Sequence, residues 1–307
     1  MEKQRIVFMG TPSYATTIFK ALADASDIEI CALFTQPDKK SGRGQSLSAP
    51  HIKQFTQERG LNMEILQPQS LKQSAIAEYI ASLKPDFIIV AAYGKILPPS
   101  ILQIAPCINL HASLLPKYRG ASPIQQAILN ADSYSGVTAM KMAEGLDTGE
   151  ILGFSYVKID GLNSDALSDL LAKKAADLTL KVIRTYKNIL HIKQNNALSS
   201  KTSKIAKEDG EVNFDLTCKQ LRQKLLAFTP WPGIFLQNGL KLKSFECEEA
   251  NHGRRTGVIA QISCKEAVVT CADGYVKLSR VAAASKQETD AFSYINGKRI
   301  KVGDTFC

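Results

Sequence analysis

The sequence predicts an α/β fold: a Rossmann-like, mostly parallel sheet with helices on both faces, plus a small C-terminal OB-like β-barrel domain. Near-continuous apolar strand patterns alternate with helical patterns in the N-terminal part. A long amphipathic helix pattern follows, and several short strand patterns separated by turns complete the chain. The length of 307 residues also favours two domains over one.

The first elements alternate between strand and helix. Arg5–Met9 is a compact apolar run that ends at Gly10. The residues after it form a helical pattern whose apolar face is made of Ala15, Ile18 and Leu22. Further elements are predicted, in chain order, at Glu29–Phe34, His51–Arg59, Leu71–Leu83 and Asp86–Ala91. Because only one glycine follows the first strand, the dinucleotide fingerprint G-x-G-x-x-G is absent there.

The residue pattern of the second half changes from helical to non-periodic and then to short strands. A long helix is predicted at Asn163–Asn188, and the polar residues Gln194–Lys207 lack periodicity and have the composition of a linker. After them come a short helix and five short strands, at Leu216–Leu226, Ile234–Leu236, Lys241–Phe245, Gly257–Ile262, Ala267–Thr270 and Tyr275–Val281. We therefore expect an N-terminal domain, a linker and a C-terminal domain at residues 1–190, 191–207 and 208–307.

Composition limits the class of protein. The formal net charge of +9 and the pI near 9.1 favour an anionic partner, and the part after residue 200 is the more basic per residue. The N-terminus lacks the apolar run of a secretory signal, and no stretch approaches the roughly 18 apolar residues of a membrane span. The seven cysteines are scattered without a C-x-x-C pair, which favours buried thiols in a reducing compartment. We expect a cytoplasmic protein without a membrane partner, and the cysteine spacing gives little support for a zinc site.

Three polar residues carry the chemistry that the sequence predicts. Asn109 and His111 lie in a strand pattern, where side chains alternate with period two, so both point the same way. Asp147 lies in a glycine-flanked turn from which it can close on them. The amide can polarise a carbonyl, and the imidazole can hold or move charge on an oxyanion. Since the carboxylate can orient the imidazole or take a proton, the set suits acyl transfer.

A series of motifs surrounds these residues. In chain order they are Phe34-Thr-Gln-Pro-Asp38, Gly42-Arg-Gly44, Ala91-Ala-Tyr-Gly94, Asn109-Leu-His-Ala-Ser-Leu-Leu-Pro116, Tyr118-Arg-Gly120, Ser122-Pro-Ile-Gln125, Gly145-Leu-Asp-Thr-Gly149 and Pro230-Trp-Pro-Gly233. Together they resemble the folate-dependent formyltransferase family across essentially the whole chain. The resemblance is to the branch that transfers the formyl group of 10-formyltetrahydrofolate to the α-amino group of methionyl initiator tRNA. It implies a product, N-formylmethionyl-tRNA, that serves translation initiation.

The resemblance implies roles for three groups of residues. The catalytic trio is Asn109, His111 and Asp147, with no metal required. The tetrahydrofolate site is implied at Ser113, Leu114, Leu115 and Pro116, with the pterin pocket lined by Tyr93, Gly94 and Leu97. The tRNA acceptor stem is implied to meet Lys39, Lys40 and, above all, Arg43. We expect a monomer, because a long acceptor stem must reach the cleft.

Other functions are compatible with the same catalytic half. The acceptor could be an amino sugar nucleotide, a glycinamide ribonucleotide or, in a formyl hydrolase, water. The basic loop around Arg43 and the basic C-terminal part favour tRNA over small acceptors. A non-catalytic RNA-binding protein is the alternative from another class, and it has no need for three convergent polar groups.

Overall fold

The structure of the protein, a computed structural model, describes residues 3–41 and 46–306. Up to residue 202 the strands are β1 (Gln4–Gly10), β2 (Ile28–Phe34), β3 (Lys39–Ser41), β4 (Ser46–Ser48), β5 (Glu64–Leu66), β6 (Phe87–Ala91), β7 (Cys107–His111), β8 (Arg119–Gly120), β9 (Tyr134–Lys141), β10 (Ile151–Lys158) and β11 (Lys201–Thr202). The helices of this part are α1 (Ser13–Ala23), α2 (His51–Glu58), α3 (Ser74–Ser82), α4 (Pro99–Leu102), α5 (Pro123–Leu129) and α6 (Ser164–Thr185).

The chain divides into two compact units. The first unit comprises residues 1–123, 134–158 and 167–203, and the second comprises residues 124–133, 159–166 and 204–307. The domain boundaries that the sequence predicts, at residues 190 and 207, stay a prediction.

A seven-stranded sheet organises the first unit. Its order is β10-β9-β7-β6-β1-β2-β5, and the five strands from β7 to β5 run parallel. The prediction of a mostly parallel, Rossmann-like sheet is confirmed. Every residue of β6 is buried, as expected for a strand that is covered on both faces. The carboxyl ends of these strands lie at one edge of the sheet, which is where ligands bind in such folds.

Two strands at one edge of the sheet were missing from the sequence prediction. β9 runs antiparallel to β7, and β10 runs antiparallel to β9. The interior of β9 contains Ser135, Gly136 and Thr138, so its sequence lacks the apolar run of a buried strand. The strand is nevertheless buried from Ser135 to Met140. β9 matters for the site because it covers the side of β7 that β6 leaves open.

The second unit contains the antiparallel β-domain that the sequence predicts. Its helices are α7 (Cys218–Phe228) and α8 (Ala291–Lys298), and its strands are β12 (Ile234–Phe235), β13 (Lys241–Glu249), β14 (Ile259–Ile262), β15 (Ala267–Cys271), β16 (Gly274–Ala282) and β17 (Thr289–Asp290). The sheet order is β12-β13-β16-β15-β14, with β17 also paired to β16. α7 begins with a capping box in which Thr217 and Gln220 bond each other's backbone N–H groups. Within residues 3–41 and 46–306, no helix has the length and apolar character needed to span a membrane.

The segment after α6 is held to the first unit by backbone hydrogen bonds. Ile192 and Ile151 exchange a pair of N–H···O bonds of 2.8 and 3.0 Å. Nine residues later, β11 pairs in parallel with β8, with Lys201 opposite Arg119 and Thr202 opposite Gly120. This segment therefore has a defined backbone conformation although its sequence is non-periodic, because tertiary hydrogen bonds hold it.

Candidate active site

β7 carries two of the three predicted catalytic residues. His111 is buried at the end of this strand, and Asn109 is partly buried two residues before it. The backbone between them is held by Tyr14 on α1, whose hydroxyl donates to the Leu110 carbonyl oxygen at 3.1 Å. Burial raises the pKa of Tyr14, so its hydroxyl stays protonated and remains a donor.

One ring nitrogen of His111 is committed to the backbone. Nε2 lies 2.9 Å from the carbonyl oxygen of Tyr118. Because a carbonyl oxygen can only accept, Nε2 carries a proton and donates it to this bond. Nδ1 lies 3.7 Å from Oδ2 of Asp147, which is longer than a hydrogen bond. Nδ1 is therefore the nitrogen that remains available for proton transfer.

Asp147 approaches β7 from the loop between β9 and β10. Its Oδ1 accepts from Nδ2 of Asn109 at 3.4 Å, and its Oδ2 accepts from the Gly120 N–H at 2.8 Å. The side chain is almost fully buried. The structure thus brings Asn109, His111 and Asp147 together, and their catalytic roles stay a prediction.

The loop that carries Asp147 has an unusual backbone. Asp147 lies in the left-handed region, with φ of 52°, which aspartate tolerates better than most residues. Two residues later, a Cβ atom on Gly149 would lie 1.7 Å from the carbonyl oxygen of Lys141. Only glycine fits there, so Gly149 allows the loop to lie directly against Lys141 at the end of β9.

Residues 118–120 support both ionisable members of the trio. The Tyr118 carbonyl accepts from His111, and the Gly120 N–H donates to Asp147. Gly120 has φ of 117°, and a Cβ atom there would lie 2.2 Å from the carbonyl oxygen of Thr202. Glycine at this position allows β8 and β11 to approach closely while the N–H of the same residue points at the Asp147 carboxylate.

The segment Ser113–Pro116, predicted to bind tetrahydrofolate, follows β7 directly. Ser113 Oγ donates to the Lys117 carbonyl at 2.7 Å, and Leu115 packs against Met140 and Ile151. The Ser113 and Leu115 side chains are therefore used within the protein. The partly exposed side chains of Leu114 and Pro116 remain for a ligand.

Thr138 on β9 holds this segment in place. Its hydroxyl donates to the Ser113 carbonyl at 2.6 Å and accepts from the Leu115 N–H at 3.0 Å. Sequence reasoning missed both Thr138 and Tyr14, because each acts on a backbone group far away in the chain. No local motif signals such contacts.

Tyr93, Gly94 and Leu97 follow β6, the neighbour of β7. Tyr93 and Leu97 are buried in the core under the sheet edge. The Tyr93 carbonyl accepts from Nε2 of Gln36 at 2.8 Å, and Gly94 has φ of 77°. Burial raises the pKa of Tyr93 to about 12, and its hydroxyl has no hydrogen-bond partner within the described part of the chain. The loop after β6 is therefore fixed beside the carboxyl end of β7.

The predicted tRNA-binding loop is described in part. Lys39 and Lys40 are exposed on β3, which pairs with β4. Arg43 lies outside the described residues. Asp38, just before β3, is fixed by Lys53 at 2.9 Å and by Gln67 at 2.7 Å. These bonds anchor the base of the hairpin and leave the two lysine side chains free to meet an anion.

Comparison with known proteins identifies the two parts of the chain. Residues 4–183 match the family model described as formyl transferase, and residues 204–299 match that of the formyl transferase C-terminal domain. The chain belongs to the formyl transferase family. The trio on β7 and the Asp147 loop lie within the first match.

Two relatives resemble this formyl transferase over their whole lengths. Both are named methionyl-tRNA formyltransferase. The protein of a Nitratiruptor species is 49% identical over 98% of this chain and 99% of its own length. That of Campylobacter lari is 48% identical over 98% of this chain and 99% of its own length.

Solved structures share the fold at much lower identity. WlaRD, a sugar 3N-formyl transferase crystallised with dTDP and 5-N-formyl-THF, matches with a TM-score of 0.65 at 19% identity, over 91% of this chain and 98% of its own. HypX from Aquifex aeolicus, in complex with tetrahydrofolic acid, matches with a TM-score of 0.64 at 14% identity, over 98% of this chain and 48% of its own. At these identities the likeness concerns the fold of the formyl transferase alone.

One side-chain cluster in the second unit of the formyl transferase has metal-ligand chemistry. Ligand atoms of Cys218, Cys271 and Asp273 lie within 4.8 Å of one another, and the two sulfur atoms are 3.4 Å apart. Burial raises the pKa of Cys218, which keeps its thiol protonated. This cluster contains no member of the trio, and the expectation that no metal is required stays a prediction.

Proposed function

We propose that this protein transfers the formyl group of 10-formyltetrahydrofolate to the α-amino group of methionyl initiator tRNA. One observation carries the proposal: an amide, an imidazole and a carboxylate converge at the carboxyl end of β7. They do so in a chain that matches relatives named methionyl-tRNA formyltransferase from end to end. The product would be N-formylmethionyl-tRNA.

Asn109 stabilises negative charge in this proposal, and His111 can do so only when its Nδ1 carries a proton. Bound 10-formyltetrahydrofolate supplies the formyl carbonyl group as an electrophile. As an amine attacks, the carbonyl oxygen gains charge, and Nδ2 of Asn109 can donate to it. A single donor of this kind typically lowers a barrier by roughly 3 kcal/mol. The weak 3.4 Å bond from Nδ2 to Asp147 leaves this donor free to turn toward a substrate oxygen.

Asp147 and His111 accept and carry the proton of the attacking amine. Oδ2 of Asp147 is engaged by the Gly120 N–H at 2.8 Å, whereas Oδ1 makes a long contact of 3.4 Å with Nδ2 of Asn109. Oδ1 is therefore the oxygen that can accept a proton from the amine, directly or through water. As the new C–N bond forms, the bond between the formyl carbon and N10 of the folate would break, and the amine proton would pass to N10, with Nδ1 of His111 beside the same carboxylate as a possible carrier.

The tetrahydrofolate site is proposed at the loops after β6 and β7. These strands are parallel neighbours, so their carboxyl ends bring Tyr93–Leu97 and Ser113–Pro116 side by side. The positive φ angles of Ala92 and Gly94 turn the first loop sharply after the strand. Gln36 holds the first loop through the Tyr93 carbonyl, and a bond from Ser113 to Lys117 holds the second, which gives a preformed wall for a flat, aromatic ligand.

The acceptor is proposed to be tRNA, bound as a polyanion. Lys39 and Lys40 are exposed on the first unit, and Arg43 follows them in sequence. The second unit adds exposed basic residues that could contact phosphates: Lys204, Lys207, Lys241, Lys243, Arg254, Arg255 and Lys298. We propose that the protein acts as a cytoplasmic monomer, with residues 1–190 catalytic and residues 208–307 contributing to tRNA binding.

The test is transfer of a labelled formyl group from 10-formyltetrahydrofolate to methionine-charged initiator tRNA. Uncharged tRNA, free methionine and an amino sugar nucleotide serve as competing acceptors. Formylation of the charged tRNA alone is the expected result. Transfer to the sugar nucleotide alone would overturn the acceptor but keep the chemistry, and release of formate without any acceptor would identify a hydrolase.

A further inference from the structure

Gln194, in the non-periodic segment after α6, contacts the loop of Asp147. Its Nε2 donates to two carbonyl oxygens of that loop, those of Asp147 at 2.9 Å and Gly149 at 2.8 Å. One amide group therefore holds the backbone on both sides of Thr148. Asp147 itself has a left-handed backbone, a conformation that persists only where the surroundings hold it.

The other end of the Gln194 amide binds Arg119. Its Oε1 accepts from Nε of Arg119 at 3.0 Å and from Nη2 at 2.7 Å. Nη2 also donates to Oδ1 of Asn196 at 2.9 Å. Arg119 is buried, so its rigid, planar guanidinium orients the Gln194 amide and leaves the Nε2 hydrogens directed at the Asp147 loop.

Arg119 lies between the two backbone groups that support the trio. The Tyr118 carbonyl before it accepts from His111, and the Gly120 N–H after it donates to Asp147. The contacts form a closed ring that runs from the Asp147 carboxylate through Gly120, Arg119 and Gln194 back to the Asp147 carbonyl. A shift of Gln194 would change the position of Asp147 relative to His111.

We infer that Gln194 and Arg119 are positioning residues that fix Asp147 against His111. This inference rests on the proposed function for its kinetic test, but its structural content is independent of the acceptor. The segment that the sequence predicts as a linker thus completes the active site from outside the catalytic motifs. Neither residue needs to touch a substrate to act in this way.

Three variants of the protein distinguish the role of the Gln194 Nε2 donor from that of its Oε1 acceptor. Gln194→Glu keeps an acceptor for Arg119 and removes both N–H donors. Gln194→Met has a similar length and removes donors and acceptor together. Asn195→Ala is the matched control, since the only hydrogen bond of this neighbouring side chain within residues 3–41 and 46–306 is the one it accepts from the Ala197 N–H.

The expected result is a lower kcat with nearly unchanged KM values. A misplacement of about 1 Å in a catalytic group can cost roughly a hundredfold, so we expect kcat to fall between tenfold and a hundredfold in Gln194→Glu and Gln194→Met. KM for the folate and for the charged tRNA should stay within about twofold. Asn195→Ala should match the wild type. A wild-type kcat in Gln194→Glu, or an equal loss in Asn195→Ala, would overturn the inference.

A second readout does not depend on formyl transfer. The protein has four histidines, and the ring nitrogen resonances of His111 are assigned by their loss in His111→Gln. These resonances should move in both Gln194 variants and stay in place in Asn195→Ala, because Asp147 faces Nδ1. If the wild type formylates no tRNA, the proposed function fails while this spectrum still tests the positioning role. Unmoved resonances in both variants would overturn it.

A milder variant covers the case in which the Gln194 variants do not fold. Asn196→Ala removes one acceptor of Arg119 and leaves the bonds between Arg119 and Gln194. We expect its kcat to fall severalfold with unchanged KM, since the guanidinium loses part of its orientation. A kcat equal to that of the wild type would then count against the inference.

Discussion

At the scale of single residues, the site depends on which atom of each side chain is already occupied. Nε2 of His111 and Oδ2 of Asp147 are bound to the backbone of residues 118–120. Nδ1 of His111 and Oδ1 of Asp147 remain for the reaction. The backbone bonds orient the two side chains without using the atoms to which we assign proton exchange.

Asp147→Asn tests the proton-accepting role. Asparagine tolerates the left-handed backbone and can still accept from Gly120, so the loop should keep its shape. It cannot accept a proton from the amine, and we expect turnover to fall by roughly a hundredfold or more. Single-turnover formyl transfer measures this, with tetrahydrofolate affinity as the control. A wild-type rate with normal folate binding would rule out the assigned role.

Tyr14→Phe tests the support of β7. The substitution removes only the hydroxyl that donates to Leu110, leaving a buried carbonyl without this partner. We expect the free energy of unfolding to fall by about 1 kcal/mol, measured by urea denaturation. Tyr156→Phe, at an exposed position on β10, should change it by much less. Equal effects of the two variants would argue against a specific role of this bond.

The sequence located the trio but not its supports. Asn109 and His111 share a strand, so period-two geometry is sufficient to place them side by side. Tyr14, Thr138 and Gln194 act on backbone groups of distant segments, and such contacts leave no local pattern. Only the tertiary structure brings these side chains to the site.

At the scale of secondary-structure elements, the short pair β8–β11 connects the late segment to the site. Gly120→Ala should be destabilising, because a Cβ atom would meet the Thr202 carbonyl and φ is 117°. We expect a loss on the order of 2–3 kcal/mol in the free energy of unfolding. Gly297→Ala, in α8 with open space where the added Cβ atom would lie, should be neutral or slightly stabilising. Similar urea midpoints for the two variants would show that β8 and β11 do not pair closely.

The base of the β3–β4 hairpin makes stability depend on pH. Hydrogen bonds from Gln67 and Lys53 lower the pKa of Asp38, so the folded state favours its charged form. This contribution is present above the ordinary aspartate value of about 3.9 and is lost as pH falls through the lower folded-state pKa. Wild type should therefore exceed Asp38→Asn in stability at neutral pH, and the difference should shrink in acid.

Urea unfolding across acidic and neutral pH measures this difference. Ser48→Ala, at an exposed position on β4 with no ionisable group, is the control and should show no comparable trend. A difference between wild type and Asp38→Asn that persists in strong acid would contradict the assignment.

The sequence reveals some of the strands and helices and not others. β1, β2 and β6 have apolar runs that reveal them, β7 alternates apolar residues with Asn109 and His111, and the long helix α6 has a clear apolar stripe. The sequence does not predict β9, because a polar residue occupies a core position there. Thr138 is buried, with its hydroxyl bonded to Ser113 and Leu115. A pattern of apolar residues cannot show a buried hydroxyl whose partners are distant in sequence.

At the scale of the whole molecule, positive charge is the property most relevant to the acceptor. The formal net charge is +9, and basic residues are exposed on both units. Such a distribution favours a polyanion over a small sugar nucleotide, because each phosphate contact releases counterions. At the proposed folate site, the loops after β6 and β7 offer mainly uncharged groups. The two substrates should therefore differ in their response to salt.

We expect KM for methionyl initiator tRNA to rise steeply with salt and folate affinity to change little. Three phosphate contacts correspond to a loss of roughly thirtyfold between about 50 and 200 mM salt. If Lys40 makes one of them, Lys40→Ala should reduce the slope of log KM against log salt concentration by about 1. Lys173→Ala removes the same charge from α6 and should leave the slope unchanged, because net charge alone does not make a phosphate contact. Identical slopes for both variants would exclude Lys40 from the tRNA interface, and equal salt dependence of the two substrates would remove the argument for a polyanionic acceptor.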